Sequence, residues 1–405
     1  MATRAADPQL ATRVVHGGGD VLVLSMRRMA QLVAYCIEYE FEDILAELLG
    51  ADRIEPADLE GLEFSRRVYR YTRLMSGSRG FARTMSATRG AIKLTRDYEL
   101  FFPIFNHAHE LFALACVPEW RKRCRIAACF ISELWLHQLP HYLVEMLADF
   151  DHIFLGVIHP IKEVERISGR PCTYLPLAAD VLKFSPYPEP PKRSIDACNI
   201  GRRSTVTHEA LMRRASQGDF FYYYDTVAAS GVDLKQRTFR VQDPAEHRFL
   251  LANLLRRSRY YFAYRGFVND PAFTQGRDEI SARFYEGAAA GTVMLGEGPA
   301  TEEFTRQFNW DDVIIPAPFD APDIAKLIGD LDKDPQRLDR IRRANVHNAA
   351  LRHDWLHRLR VVLNTFNLPV TDAMIAREKG LEAVAKQALG STVDAIPATV
   401  RRERV

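Results

Sequence analysis

The chain reads as an α/β protein made of two Rossmann-like halves, each a parallel sheet covered by helices on both faces. Three observations carry that reading. Short apolar runs alternate with helical stretches along most of the 405 residues, which is the pattern of strands joined by crossover helices. A proline-rich joint, Phe184-Ser185-Pro186-Tyr187-Pro188-Glu189-Pro190-Pro191, interrupts the alternation, which then restarts. Apolar residues make up 47% of the chain, enough for more than one sizeable core.

Taken in order, residues 1–19 read as a disordered lead-in. Asp20 to Leu24 reads as a short buried strand. A helix is expected from about Arg28 to Leu49, with apolar residues at three and four spacing and Gly50 as its stop. Leu100–Phe105, Ile126–Ile131, Ile153–Val157 and Cys172–Leu177 are the next apolar runs, with helical stretches between them. Residues 20–185 thus form the first domain. The joint reads as an extended linker, because proline fixes φ and has no N–H to donate. Ile195–Ile200, Phe220–Tyr224, Tyr260–Phe267, Thr292–Leu295 and Val313–Ile315 then serve as strands of a second domain, 186–370. A long helical tract from about Pro335 to Asn367 closes it, and 371–405 reads as a helix with a loosely held tail. Open parallel sheets bind ligands at the carboxyl ends of their strands, so a central cleft faced by both sheets is the expected active site.

Charge and cysteine usage narrow the partners. The formal net charge of +2 implies no polyelectrolyte partner, so nucleic acid is not expected. The six cysteines form no CxxC pair, and buried free thiols in a reducing cytoplasm are expected. The first fifteen residues hold no sustained apolar stretch, and no apolar run approaches the ~20 residues of a spanning helix. The expectation is a cytoplasmic chain, at most peripheral to a membrane. One stretch breaks the charge balance: Arg66, Arg67, Arg70, Arg73, Arg79, Arg83, Arg89, Lys93 and Arg96 lie between Glu63 and Asp97 with no acid among them. Tyr69, Tyr71, Leu74, Met75 and Phe81 are interleaved. Either this is a solvated face with snorkelling arginines, or it is a basic, partly apolar patch for anionic lipid or a phosphorylated acceptor.

Several chemistries are excluded by order or absence. Gly17-Gly18-Gly19 precede the first strand and Ser25-Met26-Arg27-Arg28 follow it, the wrong order for a dinucleotide fingerprint. No Gly-Lys-Ser/Thr, no zinc-type ligand spacing and no Gly-x-Ser-x-Gly elbow occurs. The run from Gly276 to Leu295 is more informative: helix-favouring residues, a glycine stop, then an apolar run. Read as one helix, it places Glu279 and Glu286 on one face, ~10 Å apart at about 1.5 Å per residue. Two carboxylates near a helix start suit a ligand with hydroxyls at both ends and phosphates between, such as a nucleotide sugar. The plainer reading makes Asp278 an N-cap and Arg283–Glu286 a surface pair.

Two further sets sit at strand ends. Asn199-Ile200-Gly201-Arg202-Arg203-Ser204 ends the first strand of the second half; glycine admits a ligand to the backbone and arginine grips a diphosphate bidentately. In the first half, Phe105-Asn106-His107-Ala108-His109 ends one strand and Ile131-Ser132-Glu133-Leu134-Trp135 ends the next. His107 and Glu133 are candidates to orient an acceptor hydroxyl or act as general base; each also fits an ordinary hydrogen-bonded structural role.

Residues of roughly 170–365 carry a resemblance: Tyr174-Leu175-Pro176-Leu177-Ala178-Ala179-Asp180, Phe184-Ser185-Pro186, Asn199-Ile200-Gly201-Arg202, Arg283-Phe284-Tyr285-Glu286-Gly287 with Gly291, and His353-Asp354-Trp355-Leu356-His357-Arg358. This set resembles the carboxyl-terminal domain of GT-B fold glycosyltransferases, closest to the bacterial spore-maturation type. The resemblance implies transfer of a sugar from a nucleotide-sugar donor to an acceptor hydroxyl of a glycan, lipid-linked or small-molecule acceptor. It implies a retaining, hexosyltransferase-like enzyme of bacterial glycan synthesis, with no metal and no cofactor besides the donor. It also implies that Glu286, the second acid of a Glu-x7-Glu pair, holds the ribose, that the first acid, eight residues earlier, touches the sugar, and that an Arg/Lys pair holds the diphosphate. Here that spacing yields Asp278, with Glu279 one residue closer, so either acid fits. No lysine follows Arg202 and Arg203; Arg265 of Tyr264-Arg265-Gly266 is the substitute, and Gly201 and Arg283 complete the donor set. The family's glycine-rich loop after the first strand is missing. A nucleotide-sugar epimerase of the same fold, or a non-catalytic partner that kept it, are the alternatives.

Overall fold

The computed structural model describes residues 12–86, 91–225 and 240–390; Arg89, the first eleven residues and the tail beyond Gly390 lie outside them. The chain divides into two compact units, residues 1–177 with 240–247 and 361–371, and residues 178–239 with 248–360 and 372–405.

The first unit is built on strands β1 (Arg13–Val15), β2 (Val21–Leu24), β3 (Asp52–Glu55), β4 (Tyr98–Phe101), β5 (Ile104–His107), β6 (Cys124–Glu133), β7 (His152–Leu155) and β8 (Cys172–Tyr174). Their order is β1-β3-β2-β4-β6-β7-β8, with β5 also on β6. All pairings are parallel except that of β1 with β3. Leu22, Leu24, Ile54, Phe101, Phe105 and Ile131 are buried in one cluster. Strands covered on both faces read as unbroken apolar runs, which is why periodicity found them.

Three expectations for this half change. Part of the lead-in is ordered: Arg13–Val15 pairs with β3 as its edge neighbour. The glycines behind it serve packing, since a Cβ on Gly19 would fall 2.1 Å from the carbonyl oxygen of Leu49, and the Gly17 and Gly18 N–H groups donate to Asp52 at 2.9 and 3.2 Å. The first long helix spans Cys36–Leu49, not Arg28 onward; Met26–Ala30 closes a turn and Leu32 bridges to Arg240 instead. Gly50 does end it, at φ 59°. The run Leu100–Phe105 is two strands, because Pro103 has no N–H for a ladder and only its carbonyl is used, by the Phe130 N–H at 3.0 Å.

The second unit holds β9 (Ile195–Asn199), β10 (Tyr222–Tyr224), β11 (Ser258–Tyr264), β12 (Val293–Glu297) and β13 (Ile315–Pro316). The sheet is wholly parallel, in the order β10-β9-β11-β12-β13. That is a doubly wound sheet whose strand order reverses between β9 and β11. Ala197, Tyr260, Phe262, Val293 and Leu295 are buried in its cluster.

The proline-rich joint runs on from a helical turn and is packed at its start. Val181–Phe184 is a helical turn, Phe184 and Ser185 are buried, and the Arg248 guanidinium lies 4.8 Å above the Phe184 ring. The late helical tract is also broken, into Pro335–Arg352 and Trp355–Thr365. Asp354 makes the break by accepting the Leu356 N–H at 2.9 Å. Its carboxylate also takes the Val181 N–H at 2.9 Å and two Arg377 contacts at 2.8 Å each. Arg377, on the helix Asp372–Ala388, reaches Asp180 at 2.7 Å as well. Two of the stretches behind the resemblance, around Asp180 and Asp354, therefore meet on one buried arginine and brace the second unit.

Candidate functional site

In a doubly wound sheet, the point where strand order reverses leaves a crevice at the strands' carboxyl ends. In the second unit this point lies beyond Asn199 of β9 and Tyr264 of β11. Gly201 follows β9 at φ 70°, a left-handed conformation that costs a side chain energy but glycine nothing. Its N–H donates to Asp225 at 2.7 Å, and Asp225 sits just past β10. Arg203 is buried and paired with the same Asp225 at 2.6 Å, so it braces the loop from below. Ser204 caps the helix Thr205–Ala215 by accepting the Thr207 N–H at 3.2 Å. The loop thus enters a helix N-terminus directly.

Arg283 lies over this loop, and Arg202 reaches from it to the loop after β11. The Arg283 Nη1 donates to the Arg202 carbonyl at 3.4 Å. Its Nη2 lies so close to Gly201 that a Cβ there would fall 2.5 Å away. Arg202 is half-buried, with its Cζ 3.8 Å from the centre of the Phe267 ring. Phe267 stacks on Phe273 at 4.3 Å and carries a φ of 54°. A bulky residue there costs of order 1–3 kcal/mol and marks a loop held for a purpose. Gly201, Arg202, Arg283 and the β11 loop therefore form one basic, glycine-floored corner.

The helix expected to carry both acids is shorter than predicted. It spans Ala282–Ala289, after Ser281. Asp278 and Glu279 lie before it, in a segment that runs beside the β11 loop: the Glu279 carbonyl accepts the Gly266 N–H at 2.8 Å, and Ser281 Oγ donates to the Tyr264 carbonyl at 2.6 Å. Glu279 and Glu286 therefore do not share a helical face. The glycine at 276, with φ 73°, and these ties to β11 outweigh the helical propensity of 277–281. Asp278 pairs with Arg265 at 2.9 Å, joining two of the predicted site residues. Glu279 is buried. Glu286 is on the helix, buried, and ion-paired with buried Arg248.

The acceptor-side candidates lie in the first unit. His107 and Glu133 are register partners on β5 and β6, so they are adjacent strand ends as the sequence implies. Glu133 is exposed; His107 lines a cavity of about 330 Å³. Apolar walls come from Met26, Met29, Leu32, Tyr35, Leu62 and Phe112, with Arg66 and Arg240 also on the lining. Burial, with help from His109 at 5.6 Å, lowers the His107 imidazole to about 4, so it is neutral near pH 7. Its Nδ1 is buried with no hydrogen-bond partner among the described residues. Glu110 shares the cavity; burial raises it to about 7, against hydrogen bonds from the Asn106 N–H at 2.7 Å and Asn106 Nδ2 at 2.9 Å. Behind it Glu38 is buried too, and burial raises it to about 8. The pocket thus sets a neutral imidazole and a readily protonated carboxyl among apolar walls, with two guanidinium groups on the same lining.

Sequence reasoning missed Arg248, Asp225, Glu110 and Arg240. Asp225 was legible, since it directly follows the run Tyr222–Tyr224 at the ligand edge of the sheet. Glu110 lies one helical turn past Asn106, a spacing that brings its carboxylate back to the strand end. Arg248 and Arg240 had no local signal, as both are placed by segments distant in sequence. Among the described residues, no three His, Cys, Asp or Glu side chains gather as a metal-ligand group.

Residues 196–364 match the family model described as "Glycosyl transferase-like". Curated protein sequences give no match. Among solved structures, the chain is similar to Anabaena Alr3699/HepE in complex with UDP and glucose, at 10% identity over 86% of this chain and 99% of that one, with a TM-score of 0.48. It is also similar to the glycotransferase of kitacinnamycin, at 11% identity over 87% and 99%, TM-score 0.39, and to TcCGT1 in complex with UDP, at 10% identity over 90% and 99%, TM-score 0.37. At these scores the fold assignment rests on strand order and pairing, given above.

Proposed function

We propose that the chain is a glycosyltransferase of the GT-B type that moves a hexose from a nucleotide-sugar donor to an acceptor hydroxyl. The observation that carries this reading is the corner at the strand-order reversal of the second sheet. There Gly201, Arg202 and Arg283 converge beside the Arg265–Asp278 pair, all within the residues that match the family model. Glycosyl transfer breaks an anomeric C–O bond while negative charge builds on the departing diphosphate. The Arg283 guanidinium over the Gly201–Arg202 backbone, with Arg202 and a helix N-terminus in the same corner, would stabilise that charge. Glu286 is assigned to the ribose, and Asp278 or Glu279 to the sugar. Arg203 supports the loop instead of meeting the phosphates.

On the acceptor side, neutral His107 with its unpartnered Nδ1 is suited to take a hydrogen bond from a hydroxyl. Glu133 lies beside it at the strand end. In this reading the enzyme retains anomeric configuration, uses no metal or resident cofactor, and works in the cytoplasm. The departing phosphate then takes the acceptor proton, and His107 orients the hydroxyl.

Titration calorimetry with a panel of nucleoside diphosphates and their sugars tests the donor site. Glu286→Gln is expected to weaken the best ligand roughly 10- to 100-fold, the loss of about 1.5–3 kcal/mol for hydrogen bonds to a charged group. Unchanged affinity removes Glu286 from the ribose. A second reading, a non-catalytic partner of the same fold, is favoured by one observation. Glu286, Arg203 and Asp278 are each already paired within the protein, with Arg248, Asp225 and Arg265. Absence of nucleotide binding, donor hydrolysis and transfer together decides for it.

A further inference from the structure

One buried hydroxyl in the second unit is left over by the fold. Tyr261 lies in the middle of β11 and is fully buried. Its strand neighbours Tyr260 and Phe262 belong to the core cluster on one side of the sheet, so the period of two sends Tyr261 to the other side. There it meets the helix Ala282–Ala289. Gly287 of that helix admits the ring: a Cβ on it would fall 2.7 Å from Met294 Sδ and 3.0 Å from Tyr261 Cδ1. The Tyr261 hydroxyl makes no hydrogen bond among the described residues. Two other tyrosines of the strand do, Tyr260 donating to Asp332 at 2.6 Å and Tyr264 to the Pro318 carbonyl at 3.1 Å. A buried, unmatched O–H lowers stability, and native structures hold few of them.

Its neighbour is the acid assigned to the ribose. Glu286 directly precedes Gly287, is buried, and takes Arg248 on its Oε1. Among the described residues its second oxygen, Oε2, accepts no hydrogen bond. Burial holds the Tyr261 hydroxyl well above the ordinary phenol range, the Glu286 charge raises it further, and Arg283 and Arg248 oppose them. An O–H that keeps its proton thus lies beside a carboxylate with acceptor capacity to spare. The last torsion of a glutamate is broad, so this carboxylate can turn on Arg248 without a change of rotamer.

We propose that Tyr261 is a positioning residue, whose hydroxyl donates to the Glu286 carboxylate when that carboxylate receives the ribose hydroxyls of a nucleotide. The donor count fits. A carboxylate offers about four acceptor sites, and Arg248, Tyr261 and the two ribose hydroxyls fill them. Arg248 alone leaves the carboxylate plane free to turn; a second donor from the strand side fixes which edge the ribose meets. The inference rests on the assignment of Glu286 to the ribose.

Titration calorimetry on the full chain with UDP, GDP and ADP, and with the 2′,3′-dideoxy counterpart of the tightest of them, tests it. Tyr261→Phe removes one oxygen and keeps the ring. It should weaken the ribonucleotide roughly tenfold, the scale of one hydrogen bond to a charged group. The dideoxy compound, which has no hydroxyl for Glu286, should bind the variant and the wild type alike. The same substitution should raise the melting temperature by about 2–4 °C, because an unmatched buried O–H is gone. Weaker binding from a more stable chain is a combination that a merely structural tyrosine does not give. In a Glu286→Gln background Tyr261→Phe should cost much less than tenfold, because the hydroxyl acts through that acid. Wild-type affinity in Tyr261→Phe while Glu286→Gln is weakened overturns the proposal and leaves the ribose assignment standing. So does an equal loss for the dideoxy compound, or a fall in melting temperature, which means that the fold already uses the hydroxyl. If Glu286→Gln changes nothing, or none of the three nucleotides binds, the ribose assignment falls and this inference falls with it.

Discussion

Replacing Arg377 by methionine should strongly destabilise the second unit. The guanidinium makes three short contacts, at 2.8 and 2.8 Å to Asp354 and 2.7 Å to Asp180. Arg377 is 7% exposed and Asp354 fully buried. Without the arginine, Asp180 still has the Lys183 ammonium at 3.2 Å, but Asp354 keeps only the N–H groups of Val181 and Leu356. One buried carboxylate is left without a cation, and breaking such a pair costs about 3–5 kcal/mol. For a unit of this size that lowers its melting temperature on the order of 10 °C. The pH dependence supplies a second signature. Burial opposes ionisation of Asp180, but Arg377 and Lys183 overcome it and hold the carboxyl well below the usual range. Stability from a depressed carboxyl is present above the unfolded value near 3.9 and lost as pH falls through the folded value. The gap between wild type and Arg377→Met should therefore narrow as pH drops from about 7 to about 3, read by differential scanning calorimetry. Adding Asp354→Asn should recover most of the loss at neutral pH. A deficit under about 1 kcal/mol, or a gap that stays constant with pH, refutes the argument that a stranded charge is the cause.

Gly201→Ala combines a φ of 70° with a Cβ 2.5 Å from the Arg283 guanidinium; it should displace Arg283 and lower nucleotide affinity about tenfold or more, at roughly 1–2 kcal/mol of strain, by calorimetry and thermal melting. Arg283→Ala should weaken nucleoside diphosphates far more than the bare nucleoside, if the guanidinium meets phosphate. In the first unit, burial raises Glu38 to about 8 and Glu110 to about 7. A raised folded value gives stability that is full below the unfolded value near 4.3 and lost as pH rises through the folded one. Glu38→Gln should then flatten the fall in stability between about pH 5 and about pH 8, by up to about 1.4 kcal/mol per pH unit; an unchanged slope would sink the assignment.

The sequence alone determined the alternation of buried strands and helices, because strands covered on both faces must be continuously apolar. It determined that Gly201 and Arg202 sit at a strand's carboxyl end, and that His107 and Glu133 end adjacent strands. Local signals of that kind survive folding. Only the tertiary structure decided which charges meet. Arg203 turned to Asp225, Glu286 to Arg248, and Asp354 to Arg377, pairings between residues 22 to 38 apart in sequence. It also decided that Asp278 and Glu279 leave the helix, since ties from Gly266 and Ser281 to neighbouring backbone hold that segment beside β11. The basic stretch shows the same division. Nine cations with no acid between them were legible, but acids on distant segments pair with three of them, Arg73, Arg83 and Arg96, and the Glu145 carbonyl holds Arg79. The arginines that face solvent beside apolar side chains were selected by packing, which no local spacing encodes.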